Sequence, residues 1–156
     1  MRLTLERLSK QFKNRIAVEN VNAELTEGIY GFLGANGAGK TTLMQMICGI
    51  VAPTSGEVKL NGKNVTEMGE QFRDLLGYLP QEFGYTPGFT AEDFLLYIAS
   101  VKGLDPRYAR RRTRELMKLV SLEGDMKRKI RTFSGGMKRR LGIAQALLND
   151  PKILIM

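Results

Sequence analysis

The sequence predicts an α/β fold, and three observations carry that prediction. A short apolar run at residues 29–33 leads directly into a glycine-rich stretch and then into a helix-forming run at 42–48. Such a run of buried-strand type followed by a helix is typical of α/β proteins. Residues 1–25 carry alternating apolar positions typical of strands, and helical segments occupy much of residues 91–148.

Two strands joined by a turn are predicted at the N-terminus. Leu3, Leu5 and Leu8 begin an edge-like strand with partial alternation. Residues 17–25 form the second strand, after a turn at residues 12–14.

The middle of the chain predicts short elements. Gly49 ends the helix that follows the glycine-rich stretch. Residues 57–60 form a strand, and the Asn-Gly pair at 61–62 is typical of a hairpin turn. A short helix at 68–76 and a strand at 77–80 follow.

Helices dominate the remainder. Residues 91–101 and 106–120 predict two helices, and residues 121–132 are polar and loosely structured. Ser134 is predicted to cap a helix over 135–148, and residues 153–156 form a buried strand.

The glycine-rich stretch at residues 34–42, named here the phosphate loop, fits the pattern G-x-x-x-x-G-K-[ST]. Backbone N–H groups that turn around a polyphosphate need small residues, and the following helix N-terminus adds positive potential. Lys40 would reach the β- and γ-phosphates, and the Thr41 hydroxyl would ligate Mg²⁺. The alternative is a glycine-rich turn that only caps a helix. The predicted nucleotide-binding residues of the loop are Gly34, Ala35, Asn36, Gly37, Ala38, Gly39, Lys40, Thr41 and Thr42.

Composition excludes several classes of site. The chain has no histidine, which excludes histidine triads and histidine metal sites within it, and its one cysteine, Cys48, allows no internal disulfide. No apolar run approaches the ~20 residues of a membrane span, and the N-terminus has no signal-peptide core. The net charge is +8. Its basic clusters lie at 110–112, 127–129 and 138–140. Such clusters can bind nucleic acid, anionic lipid or a nucleotide, but no aromatic residues are interleaved with them, so we expect solvated helix faces.

Four further stretches align in order with the phosphate loop. Residues 78–81 (Tyr-Leu-Pro-Gln) place a glutamine at a strand end, and residues 133–140 (Phe-Ser-Gly-Gly-Met-Lys-Arg-Arg) resemble the signature motif of ATP-binding-cassette (ABC) ATPases. Residues 141–147 and 149–156 resemble the continuation of that motif and the approach to the family's Walker B strand. The amino-acid sequences of residues 30–34 and 134–138 are most similar to those of bacterial export systems for drugs or antimicrobial peptides.

The resemblance implies a P-loop NTPase core of ABC-ATPase type with an N-terminal antiparallel β subdomain and a helical subdomain. Residues 1–156 would be a single, incomplete domain, with about 1–82 and 135–156 as the core and β subdomain and about 83–134 as the helical subdomain. The family's magnesium-binding Asp, catalytic Glu and switch His would lie beyond Met156. We therefore expect the N-terminal part of a longer ATPase, truncated at the Walker B strand. It should bind nucleotide with little or no hydrolysis and leave an unpaired apolar edge.

The resemblance also implies roles for individual residues. Phe12 would stack on adenine, and Gln81 would contact Mg²⁺ or the attacking water, so that Thr41 and Gln81 are the metal ligands. The loop after Gln81 would face the membrane subunit through Phe83, Tyr85 and Phe89, although these rings could also fold inward. The signature residues that would act in trans, on ATP bound by a second copy, are Ser134, Gly135 and Gly136.

The function so implied is that of the ATP-binding subunit of an ABC membrane transporter, which binds ATP with Mg²⁺ and, at full length, hydrolyses it to drive transport, with export favoured. Its expected partners are a transmembrane permease subunit and a second ATPase domain in a head-to-tail dimer, with no nucleic acid. Its expected location is cytoplasmic, peripheral on the inner face of the cell membrane. The alternatives are a soluble ABC-family ATPase acting on ribosomes or DNA, a P-loop GTPase or small-molecule kinase, and a nucleotide-binding fragment without activity.

Overall fold

The computed structural model describes residues 1–81, 84–86 and 88–156, which form two compact units. The units are Met1–Arg73 and Asp74–Met156. Each contains both strands and helices, as the predicted α/β class requires. The predicted subdomain limits near residues 82 and 135 stay a prediction.

An antiparallel sheet forms the first unit, with strand order β2-β1-β3-β4. Its strands are β1 Leu3–Phe12, β2 Arg15–Leu25, β3 Ser55–Leu60 and β4 Lys63–Asn64. The prediction of an edge-like first strand was wrong, because β1 pairs with β2 on one side and with β3 on the other. The alternation of a single strand indicates which face is buried and does not indicate how many neighbours the strand has.

A bulge explains the partial alternation of β1. Leu8 follows Leu5 by three residues, which in a regular strand would place the two side chains on opposite faces. The pairing register shifts between them and Arg7 adopts a φ of 49°, so Leu3, Leu5 and Leu8 are all buried. One inserted residue thus keeps three leucines in the same core.

Two helices belong to the first unit, and a third begins in it and ends just after its last residue, Arg73. They are α1 Lys40–Ile47, α2 Val65–Met68 and α3 Glu70–Leu75. The predicted α1 ends as expected, since Gly49 has a φ of 70° and its N–H donates to Met46 O. The helix predicted at 68–76 is instead two short helices that break at Gly69, where φ is 54° and ψ is −114°.

The prediction of a buried strand at residues 29–33 was wrong. The segment takes no strand conformation, and Ile29 and Leu33 are 104% and 96% exposed. An apolar run predicts a preference for burial, whereas a strand also needs neighbours for its N–H and C=O groups. Among the described residues, no strand pairs with this segment.

Cys48 is buried at the end of α1, with 4% of its surface exposed. Burial raises the pKa of its thiol to about 12 from the usual 9.0, because an apolar environment disfavours the thiolate. Since the folded pKa exceeds the unfolded one, the thiol's stabilising contribution is fully present below about pH 9 and is lost as the pH rises toward 12.

We expect Cys48 to resist iodoacetamide at about pH 8 in the folded protein and to react once the chain unfolds, because the thiolate is the nucleophile. Mass spectrometry of the labelled protein checks this, and the chain has one cysteine, so the readout is unambiguous. A folded protein that is labelled as fast as a free thiol would contradict the burial.

A helical core and a short parallel sheet make up the second unit. Its elements are β5 Leu76–Tyr78, α4 Ala91–Val101, α5 Pro106–Leu119, α6 Gly135–Ala146 and β6 Ile153–Ile155. Thr90 and Asp93 form a reciprocal capping box at the start of α4, and the Asp105 carboxylate caps α5. Between α5 and α6, the polar segment forms two 3₁₀ turns, Glu123–Asp125 and Ile130–Thr132. In the part of the chain that the structure describes, no helix combines the length and apolar character that crossing a bilayer requires.

The predicted strand at 153–156 is β6, which pairs in parallel with β5. It is not buried as expected, because Leu154 is 40% and Met156 61% exposed. β6 has β5 as its one partner within the described chain. A strand that is apolar on both faces becomes fully buried only with cover on both faces.

Candidate functional site

The phosphate loop is an open turn that ends at the start of α1. Ala38 N donates to Ala35 O at 3.2 Å, and Leu43 N donates to Gly39 O at 2.8 Å as the helix begins. Gly37 and Gly39 have φ values of 83° and 84°, in the left-handed region that favours glycine. The two glycines therefore give the loop its turned path.

Gly39 is also required for close packing. A Cβ on Gly39 would lie 2.0 Å from Ala17 O in β2 and 3.2 Å from Val18 Cγ2. No side chain fits between the start of α1 and the strand. The position of the helix N-terminus is thus fixed by its contact with β2.

The N-terminus of α1 is uncapped by any side chain and carries no acidic residue in its first turn. Helices leave their first N–H groups without intrahelical acceptors, and this end of the helix has partial positive charge. The residues before it, from Gly31 to Ala38, are exposed. Together these features suit an anion.

Lys40 folds back over the loop. Its Nζ donates to Gly34 O at 2.5 Å and to Ala35 O at 2.7 Å. The ammonium group is thereby held above the loop backbone at the start of α1.

Arg15 lies beside the phosphate loop and was not among the residues predicted from the sequence. It begins β2, and its Nη2 donates to Gly37 O at 3.4 Å, so a second cation lies beside the loop. The only signal in the sequence was a basic residue just after the predicted turn at 12–14. Because 22 residues separate Arg15 from Gly37, spacing alone could not connect them.

Phe12 stands opposite Arg15 in the β1–β2 register and is 47% exposed. Lys10 Nζ lies 5.0 Å from the centre of its ring. Since Arg15 contacts the loop, Phe12 belongs to the same end of the hairpin. That its ring stacks on adenine stays a prediction.

Gln81 lies in the second unit, exposed, three residues after β5. Its predicted contact with Mg²⁺ stays a prediction. The Thr41 hydroxyl and the Gln81 amide are oxygen donors, which fits the ligand preference of Mg²⁺. Among the described residues, no cluster of three or more His, Cys, Asp or Glu side chains forms a metal site.

The aromatic loop after Gln81 folds partly inward. Tyr85 and Phe89 are half-buried against the helical core. The Phe89 ring meets the Tyr97 ring edge-on at 5.8 Å between centres, and Lys138 Nζ lies 4.9 Å from the centre of Tyr85. Phe83, the third ring of the predicted docking surface, lies outside the described residues.

The signature residues stand at an exposed helix start. Ser134 Oγ accepts from Met137 N at 3.2 Å, which confirms the predicted N-cap of α6. Gly135 and Gly136 are exposed, and a Cβ on either would meet nothing within 4 Å. Backbone could therefore approach closely here. Their role in trans stays a prediction.

The chain is similar to known proteins. A family model described as "ABC transporter" matches residues 18–156. The chain is 41% identical over 155 residues to the uncharacterized ABC transporter ATP-binding protein YxlF of Bacillus subtilis (strain 168). This match covers 99% of the chain and 51% of YxlF. The chain is also 37% identical over 150 residues to the bacitracin transport ATP-binding protein BcrA of Bacillus licheniformis, a match that covers 96% of the chain and 48% of BcrA.

A solved structure shows the same fold. The dimeric structure of MJ0796, a bacterial ABC transporter cassette, matches with a TM-score of 0.86 and 30% identity, over 97% of this chain and 72% of that chain. The chain spans about half the length of the curated relatives it matches.

Proposed function

This chain belongs to the ABC transporter family, and we propose that its phosphate loop binds ATP with Mg²⁺. The observation that carries the proposal is the uncapped start of α1, whose first residue, Lys40, turns its ammonium back onto the carbonyls of the phosphate loop. A cation and a set of outward N–H groups at one place form a phosphate site.

The residues around the loop divide the work of binding. The N–H groups at the start of α1 would donate to phosphate oxygens, and Lys40 would exchange its contacts with Gly34 O and Ala35 O for the β- and γ-phosphates. Thr41 and Gln81 would hold Mg²⁺, which when bound neutralises charge that develops on the phosphates. Arg15 would add positive potential beside Gly37.

The base would lie at the end of the β1–β2 hairpin. Phe12 offers a half-exposed ring for stacking on adenine. Stacking tolerates any base because each has a π-face. We therefore expect GTP to compete with ATP, since most of the affinity would come from the phosphates.

Hydrolysis is proposed for the whole protein. Gln81 would position the attacking water in a supporting role. Ser134, Gly135 and Gly136 of one copy would cap the γ-phosphate held by the loop of a second copy, in a head-to-tail dimer. The Ser134 hydroxyl and the start of α6 are both groups that can donate to an anion.

The whole protein is proposed to be the ATP-binding subunit of an export transporter, at the inner face of the cell membrane and joined to a transmembrane permease. Two observations support this: BcrA is named for bacitracin transport, and the loop and signature wording resembles drug and peptide exporters. The limits of the core and helical subdomains near residues 82 and 135 belong to the same proposal.

Ser134→Ala tests the action in trans. We expect the full-length protein to lose about 10²-fold in kcat, because one donor to the transition-state charge is removed. ATP affinity at low protein concentration should stay unchanged, since the loop of the same copy is intact. Steady-state hydrolysis and calorimetric binding measure the two quantities.

The control is Asp105→Ala, which also removes an N-cap, that of α5. Both variants should lose about 1 kcal/mol of unfolding free energy. Equal losses of kcat in the two would mean that Ser134 acts through stability alone, and the role in trans would be wrong.

A further inference from the structure

Helix α5 carries a dense group of basic side chains that the proposed function does not use. This helix carries six Arg or Lys residues and one Glu in 14 residues. It is amphipathic, since Ala109, Leu116 and Met117 pack into the core of the second unit and Thr113 is buried as well. The cations are therefore concentrated on the outer face.

Five of these cations form one continuous stripe. At 100° per residue they fall within an arc of about 100°, along the full length of the helix. All five are exposed. The residues of this α5 stripe are Arg107, Arg110, Arg111, Arg114 and Lys118.

The stripe is largely unpaired. Arg111 Nε lies 3.7 Å from Glu115. Within the described residues, no carboxylate lies within 4.0 Å of the other four cations of the stripe. Like charges at this spacing repel one another and destabilise a helix. The stripe therefore does not stabilise α5 itself, which points to an anionic partner outside the helix.

Arg112 shows what a structural arginine on this helix looks like. It is half-buried, and its Nη2 donates to Leu147 O at 3.2 Å and lies 3.5 Å from Asp150. It ties α5 to the end of α6. The stripe residues make no comparable contact among the described residues.

We propose that the α5 stripe binds the phosphates of anionic lipid headgroups at the membrane surface. The inference rests on the proposed function, which brings the subunit to a membrane. Four or more cations on one amphipathic face are sufficient for attraction to an anionic leaflet. Guanidinium groups also match phosphate oxygens in a two-bond geometry.

Local chemistry favours lipid over nucleic acid. Single-stranded nucleic-acid sites combine cations with exposed aromatic rings on which bases stack. The aromatic residue on α5, Tyr108, is half-buried and the Arg111 guanidinium lies 5.6 Å from its ring centre. The exposed apolar residue at the end of the helix is instead Leu119, at 68% exposure, an aliphatic side chain suited to the lipid interface.

Vesicle sedimentation tests the proposal on the full-length protein without nucleotide. Phosphatidylcholine vesicles are compared with and without phosphatidylglycerol, at about 50 mM and about 300 mM NaCl. We expect binding only to the anionic vesicles and weaker binding at the higher salt. The test variant replaces four exposed stripe residues by glutamine, which preserves helix propensity. Its changes are Arg107→Gln, Arg110→Gln, Arg114→Gln and Lys118→Gln. It should lose at least ~100-fold in apparent affinity.

A matched control removes the same amount of charge elsewhere. It replaces four exposed cations that form no ion pair in the described chain. Its changes are Arg7→Gln, Lys63→Gln, Arg73→Gln and Lys152→Gln. We expect it to lose less than ~10-fold, because long-range attraction is screened. A loss equal to that of the stripe variant would show that only net charge matters and would overturn the proposal.

Two more outcomes would overturn it. The first is that wild-type protein does not bind anionic vesicles at low salt. The second is that it binds a single-stranded RNA oligonucleotide more tightly than those vesicles. Calorimetry with Mg-ATP on the same preparations separates this inference from the proposed function. Protein that binds ATP but no vesicles leaves the proposed function standing and refutes the stripe alone.

Discussion

Lys40→Ala is expected to lower the affinity for Mg-ATP by about 100-fold while the protein stays folded. The Lys40 Nζ lies 2.5 Å and 2.7 Å from two carbonyl oxygens of the phosphate loop, at the uncapped start of α1. A hydrogen bond to a charged group contributes roughly 1.5–3 kcal/mol, and about 3 kcal/mol corresponds to that loss of affinity. Isothermal titration calorimetry measures it.

Lys63→Ala is the control for charge. Lys63 is exposed in β4 and forms no ion pair within the described chain, so its loss should leave ATP affinity within about twofold. GTP as a competitor in the same titrations tests whether the phosphates dominate. An unchanged affinity in Lys40→Ala would remove the loop from the binding site.

Gly39→Ala is expected to damage the fold of the site itself. The added Cβ would lie 2.0 Å from Ala17 O, and the residue would have to keep a φ of 84°. The left-handed conformation costs roughly 1–2 kcal/mol and overpacking a further 1–3, so we expect about 3 kcal/mol of lost unfolding free energy. Since the contact fixes the start of α1 against β2, ATP binding should be lost too.

Gly49→Ala separates strain from packing. Gly49 also has a positive φ, of 70°, but a Cβ there meets nothing within 4 Å. Its replacement should cost about 1 kcal/mol and leave ATP affinity unchanged. Urea denaturation and calorimetry on both variants measure these quantities. Equal destabilisation of the two would contradict the tight packing at Gly39.

The helices α4, α5 and α6 were predictable because each of the three carries its own start signal. The structure confirms the predicted α4 over Ala91–Val101, and the predicted start of α5 at Pro106. Thr90, Asp105 and Ser134 each accept from N–H groups within three residues, so the cap and its helix are neighbours in the sequence. Local interactions of this kind are visible in a single chain without tertiary information.

The phosphate loop was predictable for the same reason, since its residue types and spacing encode backbone geometry. Gly37 and Gly39 have the positive φ values that their glycines permit. Arg15 was missed because its contact with Gly37 O depends on the tertiary structure, which brings the start of β2 beside the loop. The strand predicted at 29–33 was wrong because an apolar run does not specify partners, and the inner position of β1 was missed for the same reason.

The sequence by itself thus determined the local structural motifs of this protein. These are its helix caps, its Asn-Gly hairpin, its phosphate loop and the signature motif by which it resembles its family. Each depends on atoms that lie within a few residues of one another. Only the tertiary structure decided which strand neighbours which, that a bulge at Arg7 buries three leucines together, and that β2 leaves no room for a side chain at Gly39. Those contacts join residues distant in the chain, so their energies depend on how the whole chain packs and cannot be evaluated one segment at a time.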